Sequence, residues 1–327
     1  MHLQTPLKRR GFFVGFRKNV RNLSNFPYFI SENISLIILL MGKYRFVIAH
    51  NVSGFIDSNK SIEEMIDICL EAGFYGFEGY LEGIFDTTEK ELVRYGEMIK
   101  RAGLSIDTFH LPYKKPLLDD IAALYETDRR RNVDKFKSWI EKSVALGSTV
   151  GILHPGGRGY SCDVEGMETL CSQSDKSIQE LLKFGEQFGY KLALENMPPF
   201  IEGKLGSRNE HMTRLFEKNR HPNLGFCLDT GHSLMSYGEN AISTFETMKD
   251  NLLAFHLADN GGDRDSHLQP GKGNYCWDKF FKALDKINFT GNICVETPPF
   301  AIGPNYSKEA WIKMFAELNE LAEKSLK

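Results

Sequence analysis

No two of the six cysteines form a C-x-x-C pair; Cys69, Cys162, Cys171, Cys227, Cys276 and Cys294 are scattered along the chain. In a chain long enough to bury a real core, that scatter excludes a disulfide framework and predicts reduced thiols in the cytoplasm. No apolar run reaches the roughly 20 residues that cross a bilayer, so no membrane partner is expected. Neither sign of charge dominates: 40 Lys+Arg stand against 43 Asp+Glu, a formal charge of −3. That balance gives no general attraction for nucleic acid, although a local basic patch would suffice. At 42% hydrophobic and 25% charged residues the chain is not a disordered one. Low-complexity linkers are absent as well, which points to one domain over residues 44–327.

Residues 1–43 do not match the rest. Lys8, Arg9, Arg10, Arg17, Lys18 and Arg21 face one acid, Glu32, before the apolar run Ile34 to Met41. A basic stretch followed by a short apolar one resembles a secretory signal. Ser31-Glu32-Asn33 interrupts it, however, and no small-x-small cleavage site follows. A transit peptide and a structural extension are alternatives. The preferred reading is an N-terminal extension, disordered or never translated, with Met41 as the start. Met41-Gly42-Lys43 leads directly into the apolar run Phe46 to Ala49.

From residue 44 onward, short apolar runs alternate with longer amphipathic segments. The runs are Phe46–His50, Gly76–Gly79, Ser105–His110, Thr149–His154, Lys191–Glu195, Leu224–Asp229, Leu252–His256 and Asn292–Glu296. The segments between and after them are 61–72, 88–102, 128–146, 174–188, 208–219, 239–250, 276–287 and 307–325. In 128–146, Val133, Phe136, Trp139, Ile140 and Val144 recur near the helical period. Gly73, Gly103, Gly147 and Gly189 fall just past such segments, where a helix cap needs positive φ. Strands alternating with helices pair in parallel, and eight such units predict an α/β fold, a single (β/α)₈ TIM barrel.

The strand ends carry the chemistry. The third to eighth runs end in His110, His154, Glu195, Asp229, His256 and Glu296, with His232 three residues after Asp229. In a barrel these ends share one mouth, which holds the active site. Solvation alone would scatter Lys, Ser and Asn through the same positions. Glu195, Asp229, His256 and Glu296 together read as a metal site. Carboxylate oxygen with imidazole nitrogen suits Mn²⁺, Co²⁺ or Zn²⁺, and also Fe²⁺, whereas oxygen alone would favour Mg²⁺. Three carboxylates exceed a divalent charge by one, which leaves one free to act as acid or base. A metal holding two vicinal sugar oxygens acidifies the C–H between them, and carboxylates on opposite sides could move that proton. After strand seven, Asp265-x-His267 precedes a Pro270-Gly271 turn and is a candidate second metal or substrate site. The glycines of His154-Pro155-Gly156-Gly157 would let backbone approach a ligand.

Taken in order, His110-Leu-Pro-Tyr113, Leu153-His154-Pro-Gly156, Leu194-Glu195-Asn196, Leu228-Asp229-Thr-Gly-His232, His256-Leu-Ala-Asp259, His267-Leu-Gln-Pro-Gly271 and Val295-Glu296 resemble the xylose isomerase-like TIM barrels. The resemblance covers about residues 45–300. That superfamily contains sugar isomerases and epimerases, inositol-catabolic enzymes and bacterial-type apurinic endonucleases. By likeness to the ketose 3-epimerases, Glu195, Asp229, His256 and Glu296 would hold the metal. Glu195 and Glu296 would also exchange the proton, and His232 would touch a substrate oxygen. His110, His154, Asp265 and His267 complete the expected substrate contacts. A substrate-gripping Arg of that branch has Arg264 as its nearest counterpart.

The resemblance therefore implies a divalent-metal-dependent isomerase or epimerase of a sugar or sugar derivative, working by proton transfer through an enediolate. A homo-oligomer is compatible with this reading and not required by it. The alternative is a zinc-dependent apurinic (AP) endonuclease-type phosphodiesterase of DNA repair. That branch binds three zinc ions through nine residues, and all nine types occur here: His110, His154, Glu195, Asp229, His232, His256, Asp265, His267 and Glu296. Against it, Ala258-Asp259-Asn260-Gly261 replaces the Asn-Asp-Ser-Lys typical of that branch, and Pro270-Gly271-Lys272-Gly273 replaces its Gly-Glu-Gly. No apolar residue follows Tyr113 to wedge a duplex open. A non-catalytic sugar-binding barrel is the third reading, and the intact carboxylate set argues against it.

Overall fold

The computed structural model describes residues 43–49, 61–79, 87–113, 115, 118–157, 159–199, 203–297 and 308–327. The N-terminal extension expected over 1–43 falls on residues 1–42, outside the described residues, as does His50. Tyr44–Lys327 forms one unit. Its strands are β1 (Arg45–Ala49), β2 (Phe77–Glu78), β3 (Thr108–His110), β4 (Val150–Leu153), β5 (Lys191–Glu195), β6 (Leu224–Asp229), β7 (Leu252–Leu257) and β8 (Asn292–Val295). They run parallel in the order β2-β1-β8-β7-β6-β5-β4-β3. Isolated parallel bridges, Gly76 to Ser105 and Gly79 to Phe109, join β2 to β3 and close the circle. The eight-stranded parallel barrel is the expected one.

The helices follow from local chemistry. Helix α1 (Ile62–Ala72) begins at a capping box: the Glu64 amide donates to Ser61 Oγ, and the Ser61 amide donates to Glu64. Helix α2 (Glu89–Arg101) repeats the device with Thr88 and Glu91. Each cap stabilises its helix by about 1 kcal/mol. Gly73, Gly103, Gly147 and Gly189 take φ of 101°, 76°, 107° and 62°, the left-handed caps that the sequence required. Helix α3 (Glu126–Leu146) buries Val133, Phe136, Trp139 and Ile140 against the barrel. Each such side chain contributes about 1.5–3 kcal/mol. The ring continues with α4 (Met167–Gly185) and α5 (Asn209–Lys218).

Three elements differ from expectation, the first being α4, which begins at Met167 rather than at 174 and ends at Gly185. A helix, α6 (Thr230–Tyr237), directly follows β6, because the Asp229 side chain caps it by accepting the His232 amide at 2.6 Å. The segment read as one helix over 239–250 is shortened to α7 (Ile242–Met248), flanked by 3₁₀ turns. Helices α8 (Trp277–Lys286) and α9 (Lys308–Ser325) complete the ring. No helix among the described residues is long and apolar enough to cross a membrane, and all six cysteines are unpaired.

The period of two positions the mouth. Small apolar residues Ile152, Ala193, Cys227 and Ala254 pack together inside the barrel, and so do Val47, Ala49 and Cys294. Two residues further along the same face come His154, Glu195, Asp229, His256 and Glu296. Their outward neighbours Leu153, Leu194, Leu228, Phe255, Leu257 and Val295 belong to the core shared with the helices. Strands β4 to β8 thus each lead to a chemical group two residues beyond an apolar interior one, at the carboxyl end of the barrel.

Candidate metal centre

Glu195, Asp229, His256 and Glu296 converge, with one ligand atom from each within 4.8 Å of the others. His256 Nδ1 lies 2.9 Å from Glu195 Oε1 and 3.2 Å from Glu296 Oε2. Two further groups flank this one. His154 Nε2 and His110 Nε2 lie 3.0 and 3.5 Å from the other Glu195 oxygen, Oε2. His232 Nε2 and His267 Nε2 lie 3.3 and 3.0 Å from Asp265 Oδ2. Every residue expected at the mouth is therefore brought to it, in three contiguous groups with Glu195 shared between two.

The imidazoles are aimed by their far nitrogens. Nδ1 of His110, His232 and His267 donates to the carbonyls of Leu111, Asn196 and Glu296, at 2.8, 2.7 and 2.9 Å. A carbonyl only accepts, so each ring keeps its proton on Nδ1 and turns Nε2 toward a carboxylate. His256 is reversed: Nδ1 faces the carboxylates and Nε2 is backed by Glu78. The Asn196 side chain ties β5 to β6, donating to the Asp229 carbonyl and accepting the Asp229 amide. Tyr113 packs against the His110 and His154 rings at a tilt, with centroids 4.5 and 5.2 Å away.

Whether these residues fit a cation is decided by their unused oxygens. Glu195 Oε2, Asp229 Oδ2 and Asp265 Oδ1 are buried and accept no hydrogen bond among the described residues. There is one such oxygen in each of the three groups. Buried carboxylate oxygens are costly when left alone. Donor atoms spaced 3.0–3.5 Å apart without a hydrogen bond, as around Glu195 Oε2, match neighbours on a tetrahedral ion, which lie about 3.3 Å apart. The mixed oxygen and nitrogen donors suit Mn²⁺, Co²⁺ or Zn²⁺.

Charge crowding perturbs the titrations. Burial raises the Asp229 carboxyl to about 7; Glu296, Glu195 and Asp265 add to this, against the pull of His232. Burial alone would depress His232, but Asp229 and Asp265 carry it up to about 9. His267 likewise is pushed up to about 10 by Asp265 and Glu296 in spite of burial. Burial brings His154 down to about 4, although Glu195 pulls it the other way. A histidine held above its unfolded value stabilises the fold fully below the unfolded value of about 6.5 and loses that contribution as pH rises. For metal-stripped protein, the unfolding free-energy gap between wild type and His267→Asn should shrink from pH 6.5 to pH 10.5. A flat or widening gap in urea titrations would contradict the charge assigned to His267.

Asp259 builds the loop that carries Asp265 and His267. Its buried carboxylate accepts the amides of Asn260, Gly271 and Tyr275, each at 3.0 Å, and Trp277 Nε1 at 2.7 Å. His267 is held at φ 45°, left-handed backbone that costs a non-glycine residue about 1–2 kcal/mol. Asp259→Asn turns one acceptor oxygen into a donor facing donors. With two bonds to a charged group lost at about 1.5–3 kcal/mol each, chemical denaturation should show a loss of about 3–6 kcal/mol. A loss below about 1 kcal/mol would refute the anchoring role.

Several expectations are refined here. The Gly156-Gly157 turn packs on protein rather than facing a ligand. A Cβ on Gly156 would lie 2.6 Å from the Ala122 amide nitrogen, and the Gly157 amide donates to Asp120. Arg264 is exposed on its loop. Sequence reading gave no role to Glu78, Asn196 or Asp259. Glu78 had a legible signal: a carboxylate inside a short apolar run, on a strand too brief to show alternation.

A family model for the xylose isomerase-like TIM barrel matches residues 66–323. The chain belongs to that family. An uncharacterised Methanocaldococcus jannaschii relative of this barrel is 26% identical over 249 residues, covering 75% of this chain and 82% of its own. A probable endonuclease 4 of Citrifermentans bemidjiense is 27% identical over 211 residues, covering 60% of this chain and 71% of its own. Among solved structures, a D-tagatose 3-epimerase-like protein superposes with a TM-score of 0.71 at 24% identity, covering 86% of this chain and 98% of its own.

Proposed function

We propose that this barrel is a divalent-metal-dependent isomerase or epimerase of a sugar or sugar derivative. The observation that carries the reading is that Glu195, at the end of β5, and Glu296, just past β8, both place a carboxylate oxygen beside His256 Nδ1, at 2.9 and 3.2 Å. Glu195, Asp229, His256 and Glu296 would hold the ion, which supplies Lewis acidity toward two neighbouring sugar oxygens. One glutamate takes the proton from the carbon beside the carbonyl, leaving an enediolate. The second glutamate, carrying a proton taken from solvent, gives it to the opposite side and ends ionised; the first then releases its proton to solvent, so the stereocentre inverts with no net change in atoms or charge. His232, cationic at neutral pH, donates to a substrate oxygen. His110 and His154, packed against Tyr113, line another part of the mouth. Likeness to a D-tagatose 3-epimerase-like structure supports this reading at the level of fold.

A second reading is favoured by one observation: the flanking groups His110/His154/Glu195 and His232/Asp265/His267 would each suit a further ion, as a phosphodiesterase of the endonuclease 4 type requires. Metal analysis of Zn²⁺-loaded protein, run beside turnover of ketoses and an abasic duplex, separates the two. One tight ion with salt-insensitive sugar turnover upholds the first. Three ions, with duplex cleavage falling steeply as salt rises, overturn it.

A further inference from the structure

The five mouth histidines are not held alike. Those with a described partner behind Nδ1, namely His110, His232 and His267, lean on neutral carbonyls. His256 leans on a carboxylate, because both Glu78 oxygens lie near its Nε2, at 3.1 and 3.3 Å. Glu78 and His256 are wholly buried, and among the described residues the Glu78 side chain bonds His256 alone. Enclosing a carboxylate inside a barrel carries a desolvation penalty that an apolar residue of similar size would avoid. A carboxylate has only acceptors, so without a cation both ring nitrogens carry protons, Nε2 toward Glu78 and Nδ1 toward Glu195; a cation at Nδ1 would displace that proton and leave the one on Nε2.

We infer that Glu78 is a positioning residue: it holds the His256 proton on Nε2 and presents a bare, electron-rich Nδ1 to the cation held with Glu195, Asp229 and Glu296. This rests on the metal-holding part of the proposed function and is independent of which sugar is turned over. The negative acceptor makes Nδ1 a stronger donor than the carbonyl-backed rings, because the partial charge it leaves on the ring is shared with a full one. Cys294, which lies within 4.8 Å of both groups, offers the competing arrangement, a second cation on the Nε2 side.

The test is Zn²⁺ binding by calorimetry to wild type, Glu78→Gln, Glu78→Leu, Cys294→Ala and His256→Ala, with circular dichroism to verify folding. Glu78→Leu removes the acceptor and should weaken Zn²⁺ binding about 10–100-fold at unchanged stoichiometry. Glu78→Gln keeps an acceptor oxygen and should lose less, which preserves the test if the Leu variant fails to fold. In a His256→Ala background, Glu78→Gln should cause no further loss, since its effect runs through the ring. Nitrogen-15 shifts of the Zn²⁺-loaded protein should show Nε2 protonated. Equal losses in both backgrounds, or a proton on Nδ1, would reduce Glu78 to a structural ion pair and overturn the inference. A stoichiometry that falls by one ion in Glu78→Gln and Cys294→Ala alike would replace it with the second-cation arrangement. Wild type that binds no Zn²⁺ would overturn both this inference and the metal reading. Wild type that binds while the Glu78 variants match it would overturn this inference alone.

Discussion

Asp229→Asn and His256→Ala each strip the barrel of bound metal, with losses larger than the 10–100-fold typical of an outer partner. The Asp229 side chain has divided duties. Oδ1 caps α6 through the His232 amide, and Oδ2 accepts no hydrogen bond among the described residues. Asparagine keeps the cap but puts an N–H₂ group where the unused oxygen was, aimed at the cation. The fold should survive and the ion should not. His256→Ala removes the one nitrogen that faces both Glu195 and Glu296. His221→Ala serves as the control, since that ring bonds Glu186, outside the mouth groups. Metal analysis after gel filtration reads the result. Equal metal in all three variants would refute the centre, and a loss in the Asp229 and His256 variants alone would place the ion among these ligands.

How far the site could be read beforehand depended on which interactions set each residue. Glu195, Asp229, His256 and Glu296 were legible because a strand alternates strictly, and an ionisable residue two positions beyond a small interior one reaches the mouth. The eight-unit rhythm was legible for the same reason, and so were the glycine caps, whose φ is a local matter. Helix α6 was hidden because its cap, Asp229, had already been given to the metal. One side chain serves both purposes, and the sequence displays only one of them. Glu78 sits on a strand of two residues, too short for any period, and its meaning arises only when β7 brings His256 beside it. Asp259 was visible as an acid in a polar loop. That it gathers four donors from across the 259–277 loop is a tertiary fact with no local signature. The glycines after His154 misled because positive φ serves close packing on Asp120 and Ala122 as readily as a ligand.

Glu296→Gln lowers kcat by about 10²–10⁴-fold, the range expected when a general acid or base is lost. Glutamine matches the shape and keeps one oxygen donor, so metal binding falls less than in Asp229→Asn. The carboxyl of Glu296 is held down at about 2: burial opposes this, but His256 and His267 outweigh it. In the metal-free protein Glu296 is therefore ionised at neutral pH, and so is Glu195, held well below the usual range by His256 and His154 in spite of burial. An ionised glutamate on one face can take the proton; the glutamate that reprotonates the enediolate must first have received a proton from solvent, which it gives up in that step. A hydrogen that leaves as a proton resides on a carboxylate and exchanges with solvent before it returns. Turnover in D₂O should then place deuterium at the reacting carbon, read by proton NMR as the loss of that carbon's signal. A hydride shift keeps the hydrogen on the substrate and leaves the carbon unlabelled. An unlabelled product together with a fully active Glu296→Gln would refute the two-glutamate mechanism, even with the metal centre intact.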